Sequence, residues 1–515
     1  MKKNLLFIIV IASLISSCKK DYLNLVPPTS LSTASFFKNK SDFIQALNGT
    51  YVPLRGMVHA GFFMDEMRSD NTFFTRYAAN RGFETSTECL PLFTDDANAS
   101  AQPNSPGNRY GNNYNGIARA NTVISRLAES DLTQSAKDSI MGEALFLRSF
   151  YYFDLVTHYG GVPLQLAELK SAEEAFQPRN TVDEVYAQIA KDLTEAIPLL
   201  PVVTSFPQSG RATKGAAKML LAYAYMQQPT KNLPAAETEL KDILAMNYEL
   251  LGNYADVYEP ENKNNSEIIF SVQYKSDLTS GQQSDFTWRF IPKTVNPEFL
   301  TGFNGSRMNI FSGWNVPTAE MVQSYEPADK RLNASVAVVE GTISGVEDFS
   351  ATALKNPQGY VPAPGQVYFY MIRKYFHPPY TVEFNTPDDF PVFRLSGAML
   401  LLAENLVAQG KAGEALQFIN PVRVRAGLLP LGAVDADDVA DETRHELAFE
   451  NHRWIDLLRT GKAIQEITKK GNLLKAAYGW ILPTSFNITE QRFIYPIPFR
   501  EVQINTQLVQ NPGYN

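Results

Sequence analysis

Five histidines, His59, His158, His377, His445 and His452, are the first residues to test for chemistry. His445-Glu446 opens like a zinc-protease motif, but no second histidine follows at the spacing that would place two ligands on one helical turn. His445 and His452 stand seven apart and could share a helix face. Arg444, Arg453 and Arg459 beside them would repel a cation, so no metal site is expected. No Gly-x-Ser-x-Gly elbow occurs, and Gly305-Ser306 falls in an Asn/Gly loop. Gly210-Arg-Ala-Thr-Lys-Gly215 lacks the glycine and lysine spacing of a phosphate loop. The acid pairs Asp65/Glu66 and Asp388/Asp389 are the residue types a glycosidase uses, but that reaction depends on a carboxyl separation which spacing along the chain does not set. The expectation is a protein without catalysis and without a cofactor.

Cys18 carries chemistry of another kind. Lys2-Lys3, an apolar run from Leu5 to Ile15 and small residues before Cys18 are the parts of a secretory signal. The run is too short to span a bilayer, which takes about 20 apolar residues. Ile15-Ser16-Ser17-Cys18 resembles a bacterial lipobox, in which the cysteine becomes the lipidated first residue. The alternative is a plain signal followed by a chance cysteine. With Cys18 lipidated, Cys89 has no partner for an internal disulfide. The formal charge is -8, and loss of Lys2 and Lys3 makes the balance more acidic, which excludes the basic footprint of a nucleic-acid binder. Aromatics reach 12%, with 24 Tyr and 32 Phe. Such rings build cores and also form platforms for the apolar faces of sugars or for peptide side chains.

The elements that must position these residues read as mainly helical. Residues 1–17 are the signal and 18–40 a polar, Pro-bearing tether. From Ser41, with Ser41-Asp42 as a possible cap, helical spacing sets in. Apolar stripes predict helices over 112–130, 139–158, 182–197 and 213–227, the last capped by Thr213. Residues 215–245 and 397–426 share one plan: a helix with small residues, a short turn and a second helix, with Gly410 in the second turn. That is the logic of a tetratricopeptide-like pair, or of two unrelated hairpins. Between 251 and 392 periodicity fades into an Asn-, Gly-, Pro- and aromatic-rich stretch, and irregular regions of this length are usually functional. Helix returns at 393–426 and 440–470, and the tail beyond 493 reads as extended. The units are therefore 41–250, an irregular 251–392 and 393–515.

Several motifs occur together and in order. Asp21-Tyr22-Leu23-Asn24 follows the lipobox. Then come Glu143 to Leu155 with Tyr159-Gly-Gly-Val-Pro-Leu164, and Gly210 to Ala217. Gly313-Trp314 runs through Tyr325 to Leu332. Arg394 to Gly427, Arg444 to Leu457 with Arg459-Thr-Gly461, and Tyr495 to Tyr514 complete the series. In this the chain resembles the SusD/RagB family of outer-membrane lipoproteins. The resemblance implies an all-α scaffold of tetratricopeptide-like pairs with the irregular region on one face. It also implies capture of a nutrient, an oligosaccharide or in some members a peptide, and a role as lid on a SusC-like TonB-dependent β-barrel. The location implied is the outer membrane, lipid-anchored and facing outward.

Ligand residues are expected on loops that expose a ring beside polar groups. Tyr110 with Asn113, in a loop before a helix starting near Tyr114, is the first choice. The family often has Trp at this place, so Tyr suggests a different ligand. Asp70, Arg76 and Arg81 with Phe73 and Phe74 form the second group, and Trp288 and Trp314 the third. For each group, packing or contact with the barrel is the other reading. Arg148, Glu446 and Arg453, among apolar neighbours, are expected to be paired inside the fold. A lipid-anchored glycan hydrolase and a ligand-free scaffold are the rival functions.

Overall fold

The computed structural model describes residues 36–77, 84–96, 106–304, 312–345 and 347–514. Cys18, the signal, most of the tether and Arg81 lie outside the described residues. The main helices are α1 (Lys40–Tyr51), α2 (Pro53–Gly61), α3 (Pro106–Ala128), α4 (Gln134–Tyr159), α5 (Val182–Leu199), α6 (Lys214–Gln227), α7 (Leu233–Leu244), α8 (Leu395–Ala408), α9 (Ala412–Arg425), α10 (Ala436–Glu446), α11 (Arg453–Arg459) and α12 (Ala463–Ala477). No described helix is long and apolar enough to cross a membrane.

Helices α3 to α9 form one layer in which each packs on the next. Their starts are written locally. Thr181 Oγ1 accepts from Glu184 N–H while the Glu184 carboxylate accepts from Thr181 N–H, a capping box opening α5. Thr213 caps α6 through Ala216 N–H. At α1 the cap is Asn39 rather than Ser41-Asp42: its side chain accepts from Ser41 and Asp42 N–H, and Asp42 returns the bond. Gly410 sits at φ +76°, in the left-handed region that the tight α8–α9 turn requires. The two hairpins foreseen at 215–245 and 397–426 are neighbours. Asn405 donates to Leu233 O at 2.9 Å, and Gln409 and Lys411 both reach Glu237.

What separates these hairpins in sequence is an excursion that leaves the layer after α7 and returns at α8. Its two ends are stapled together: β2 (Ile268–Val272) pairs antiparallel with β7 (Phe390–Arg394), which runs straight into α8. Within the excursion, β4 (Val336–Ser344) lies between β5 (Asp348–Lys355) and β6 (Val367–Ile372), all antiparallel. This region is therefore not simply irregular, as its sequence suggested. Its central strand β4 is buried on both faces from Val336 to Gly341, so it reads as an apolar run rather than a period-2 alternation. A two-residue strand, β1 (Thr72–Phe73), pairs with β3 (Val316–Pro317) and ties the excursion to the N-terminal part.

Three other expectations are corrected. Helix α3 begins at Pro106, not near 112, because Arg109, Tyr110 and Asn113 have buried partners that outweigh the weak helix propensity of the Asn and Gly residues around them. The span 440–470 is α10, α11 and α12, broken where Phe449 and Asn451 take positive φ. The tail beyond 493 contains a helical turn, Phe499–Ile504.

The base of the excursion is held by buried charge. Arg394 donates to Glu267, Glu446 and Glu450. Arg425 bridges Glu267 and Glu446, and Arg331 bonds Asp329, Glu442 and Glu446. Lys374 reaches Glu450 at 2.7 Å. Burial by itself would raise the pKa of Glu446, but Arg425, Arg394 and Arg331 together hold it well below the carboxylate range. Glu450 is brought down to about 2 by Arg394 and Lys374, against the same burial penalty. Arg148, paired with Asp192 at 2.7 Å, locks α4 to α5 in the same manner.

Because the folded pKa of Glu450 lies below its unfolded one, its stabilisation is full above the unfolded value and disappears as pH falls from about 4.5 toward 2. Glu450→Gln leaves two buried cations short of an anion and should cost about 3–5 kcal/mol at pH 7. Urea melts across pH should show that gap between variant and parent closing through the acid window.

Candidate functional site, an aromatic shelf

Strands β1 and β3 and the loop after α12 meet at one surface. Phe73 and Phe74 lie 4.4 Å apart, and Trp480 stacks on Phe73 at 6.1 Å with only 14° between the rings. Phe74 also meets Trp480 and Trp314, each at 5.7 Å. Trp480 is partly exposed and Tyr478, 6.1 Å from it, is 46% exposed. The exposed Arg76 guanidinium sits 4.9 Å over the Trp480 ring. Beside it Tyr77 Oη accepts from Lys293 N–H at 2.9 Å, and the Lys293 ammonium lies 4.8 Å over the Tyr77 ring. Gly313, at φ +85°, lets this corner close: a Cβ there would stand 2.9 Å from the Tyr77 ring. The result is an apolar ring face bordered by two cations and phenol groups, a surface suited to gripping a sugar.

The shelf is braced from below. Asp70 accepts from Arg453 at 2.8 and 2.9 Å and faces Arg444 at 3.1 Å. Burial would raise its pKa, yet the two guanidinium groups hold it well below the carboxylate range. Lys470, buried beneath Phe73 and Phe486, donates to Met67 O at 2.8 Å and to Ser69 O. Burial pushes its ammonium down to about 7, opposed by Asp70 and Glu66.

The expected ligand residues thus divide. Phe73, Trp314 and Arg76 come together at the shelf, and only Arg76 of these is exposed. Asp70 is support, with both oxygens engaged by arginine. Trp288 is fully buried in a separate core cluster, against Tyr380 at 5.2 Å and Phe384 at 5.5 Å, and has no face to offer. Asn113 is buried too, donating to Asp154 and Arg109 O, so it orders an ion cluster rather than a loop. Tyr110 is 4% exposed and packs edge-on to Tyr159. The carboxylates that could have suggested hydrolysis are engaged: Asp65 by His158 and Arg109, Glu66 by Asn71, Asp388 by His377 and Asp389 by Lys263. Among the described residues, no cluster of three His, Cys, Asp or Glu is placed to hold a metal. Trp480 and Tyr478 were missed. Their signal was two rings flanking a glycine just after a helix, outside any apolar stripe.

Two family models match adjacent parts of the chain. One, described as the SusD family, covers residues 266–514, and one described as starch-binding associating with outer membrane covers residues 21–226. The chain belongs to the SusD family. SusD-like protein P25 of Formosa agariphila is 26% identical over 99% of this chain and 98% of that protein. A solved laminarin-binding SusD-like protein superposes with a TM-score of 0.72 at 26% identity, covering 93% of this chain and all of that one. The fold is also that of surface glycan-binding protein A from Bacteroides thetaiotaomicron, solved with laminarihexaose: TM-score 0.71 at 20% identity, over 92% of this chain and 99% of that one. The SusD-family scaffold is thus the mainly helical layer described above, and the shelf is what this chain presents on it.

Of the four tryptophans, Trp288, Trp314 and Trp454 are buried. Iodide or acrylamide should therefore quench one accessible component of the fluorescence, and Trp480→Phe should remove it while the buried component stays.

Proposed function

We propose that this chain captures an oligosaccharide on the aromatic shelf and delivers it, unaltered, to a SusC-like TonB-dependent β-barrel for which it acts as the lid. The observation that carries this reading is the partly exposed Trp480 ring, stacked on Phe73 with the exposed Arg76 guanidinium over it. A flat ring supported from behind loses little freedom on binding, and the cations and phenols beside it match sugar hydroxyls. The laminarin-binding relative, similar along nearly the whole chain, supports a saccharide over a peptide. The engaged carboxylates support capture without cleavage. Lipid on Cys18 would hold the protein at the outer membrane, outward-facing, with the segment to about residue 40 as tether.

Calorimetry against laminarihexaose, maltohexaose and a peptide mixture tests the reading. One of the saccharides should bind, and Trp480→Ala should weaken it roughly tenfold or more, given the apolar area lost. The saccharide should be recovered at its original length. Binding of peptides alone, or appearance of shortened products, would overturn it. For the anchor, Cys18→Ser should move the protein from the detergent phase to the aqueous phase after phase partition of cells.

A further inference from the structure

The sheet of the excursion has two unlike faces. Ala337 and Val339 of β4, Phe349 and Ala351 of β5 and Met371 of β6 point into the cluster around Trp288. By strand alternation Tyr368 and Tyr370 of β6, opposite Glu340 and Val338 of β4, point the other way. Tyr368 is 39% exposed, with Tyr360 at 5.2 Å and Tyr370 at 5.4 Å. Tyr360 is fixed in place: its hydroxyl donates to Glu340 at 2.6 Å, and Lys355, bound to the same carboxylate at 2.7 Å, lies 5.8 Å over its ring.

This tyrosine cluster is continuous with the shelf. Strand β3, which pairs with the Phe73 strand beneath Trp480, packs against β6. Tyr478, 46% exposed and 6.1 Å from Trp480, carries the shelf outward. The rings are amphipathic rather than aliphatic, and each exposed one carries a hydroxyl. That composition fits the alternating apolar faces and hydroxyl rims of a saccharide better than an apolar protein surface.

We infer that Tyr478, Tyr368 and Tyr360 continue the saccharide path from Trp480 across the outer face of the β4–β6 sheet, so that the protein selects for long chains. The inference rests on the proposed capture at Trp480, and goes beyond it by naming the direction and the length of the ligand. A short oligosaccharide would occupy only the Trp480 end, whereas a long one would reach the tyrosines as well.

The test compares a trisaccharide and a hexasaccharide of whichever glucan binds the full-length protein, in the parent, Tyr368→Ala, Tyr478→Ala and Trp480→Ala. Exposed rings can be removed without unfolding, which melting curves would check. The parent should bind the hexasaccharide about tenfold more tightly than the trisaccharide. The tyrosine variants should lose roughly three- to tenfold for the hexasaccharide only. Trp480→Ala should weaken both. If the tyrosine variants bind both lengths as the parent does, the extended path is wrong and capture at Trp480 stands. If no saccharide binds the parent, both fall together.

Discussion

Arg394 stands fully buried at the point where a long excursion returns to the helical layer, and three carboxylates surround it. Moving such ions out of water costs several kcal/mol each, so the pairing is tolerated only when geometry and hydrogen bonds are complete. Completeness here requires Glu267 from one end of the excursion, Glu446 from the end of α10, Glu450 from the turn after it, and Arg331, Arg425 and Lys374 around them. No one segment supplies a balanced set. The cluster is therefore a condition on the whole chain: the excursion, the α8–α9 hairpin and α10 must all be docked for any of these charges to be satisfied.

That condition is what gives the shelf a fixed shape. Glu446 precedes the broken turn that positions Arg453, and Arg453 holds Asp70 beneath Phe73. The β1–β3 pair then sets Trp314 and Gly313 against Phe74 and Tyr77. Trp480 arrives from the far end of α12, whose Lys470 is pinned under the same rings. A surface built from three distant stretches in this way is preformed. The charge that makes the shelf rigid lies below it.

Much of the fold was legible because its signals are local. Helical stripes, the Thr213 cap and the small-residue hairpins follow from spacing alone. The buried roles of Arg148, Glu446 and Arg453 followed from charge set among apolar neighbours. The central strand β4 was not legible, since it is buried on both faces over most of its length and shows no period of two. The start of α3 was hidden because Asn- and Gly-rich residues read as loop until their buried partners are known.

The site shows the same division more sharply. The sequence by itself determined that rings and cations lie near residue 73 and that apolar stripes recur at helical spacing. These are properties of neighbours along a chain. Which rings face solvent was decided only by the tertiary structure. Trp288 and Tyr110 look as available as Trp480 in the sequence. Packing puts the first inside a core, the second against Tyr159, and leaves the third stacked on Phe73 and partly exposed. Exposure depends on what comes from elsewhere to cover a residue, and for Trp480 that is settled hundreds of residues away from the strand that supports it.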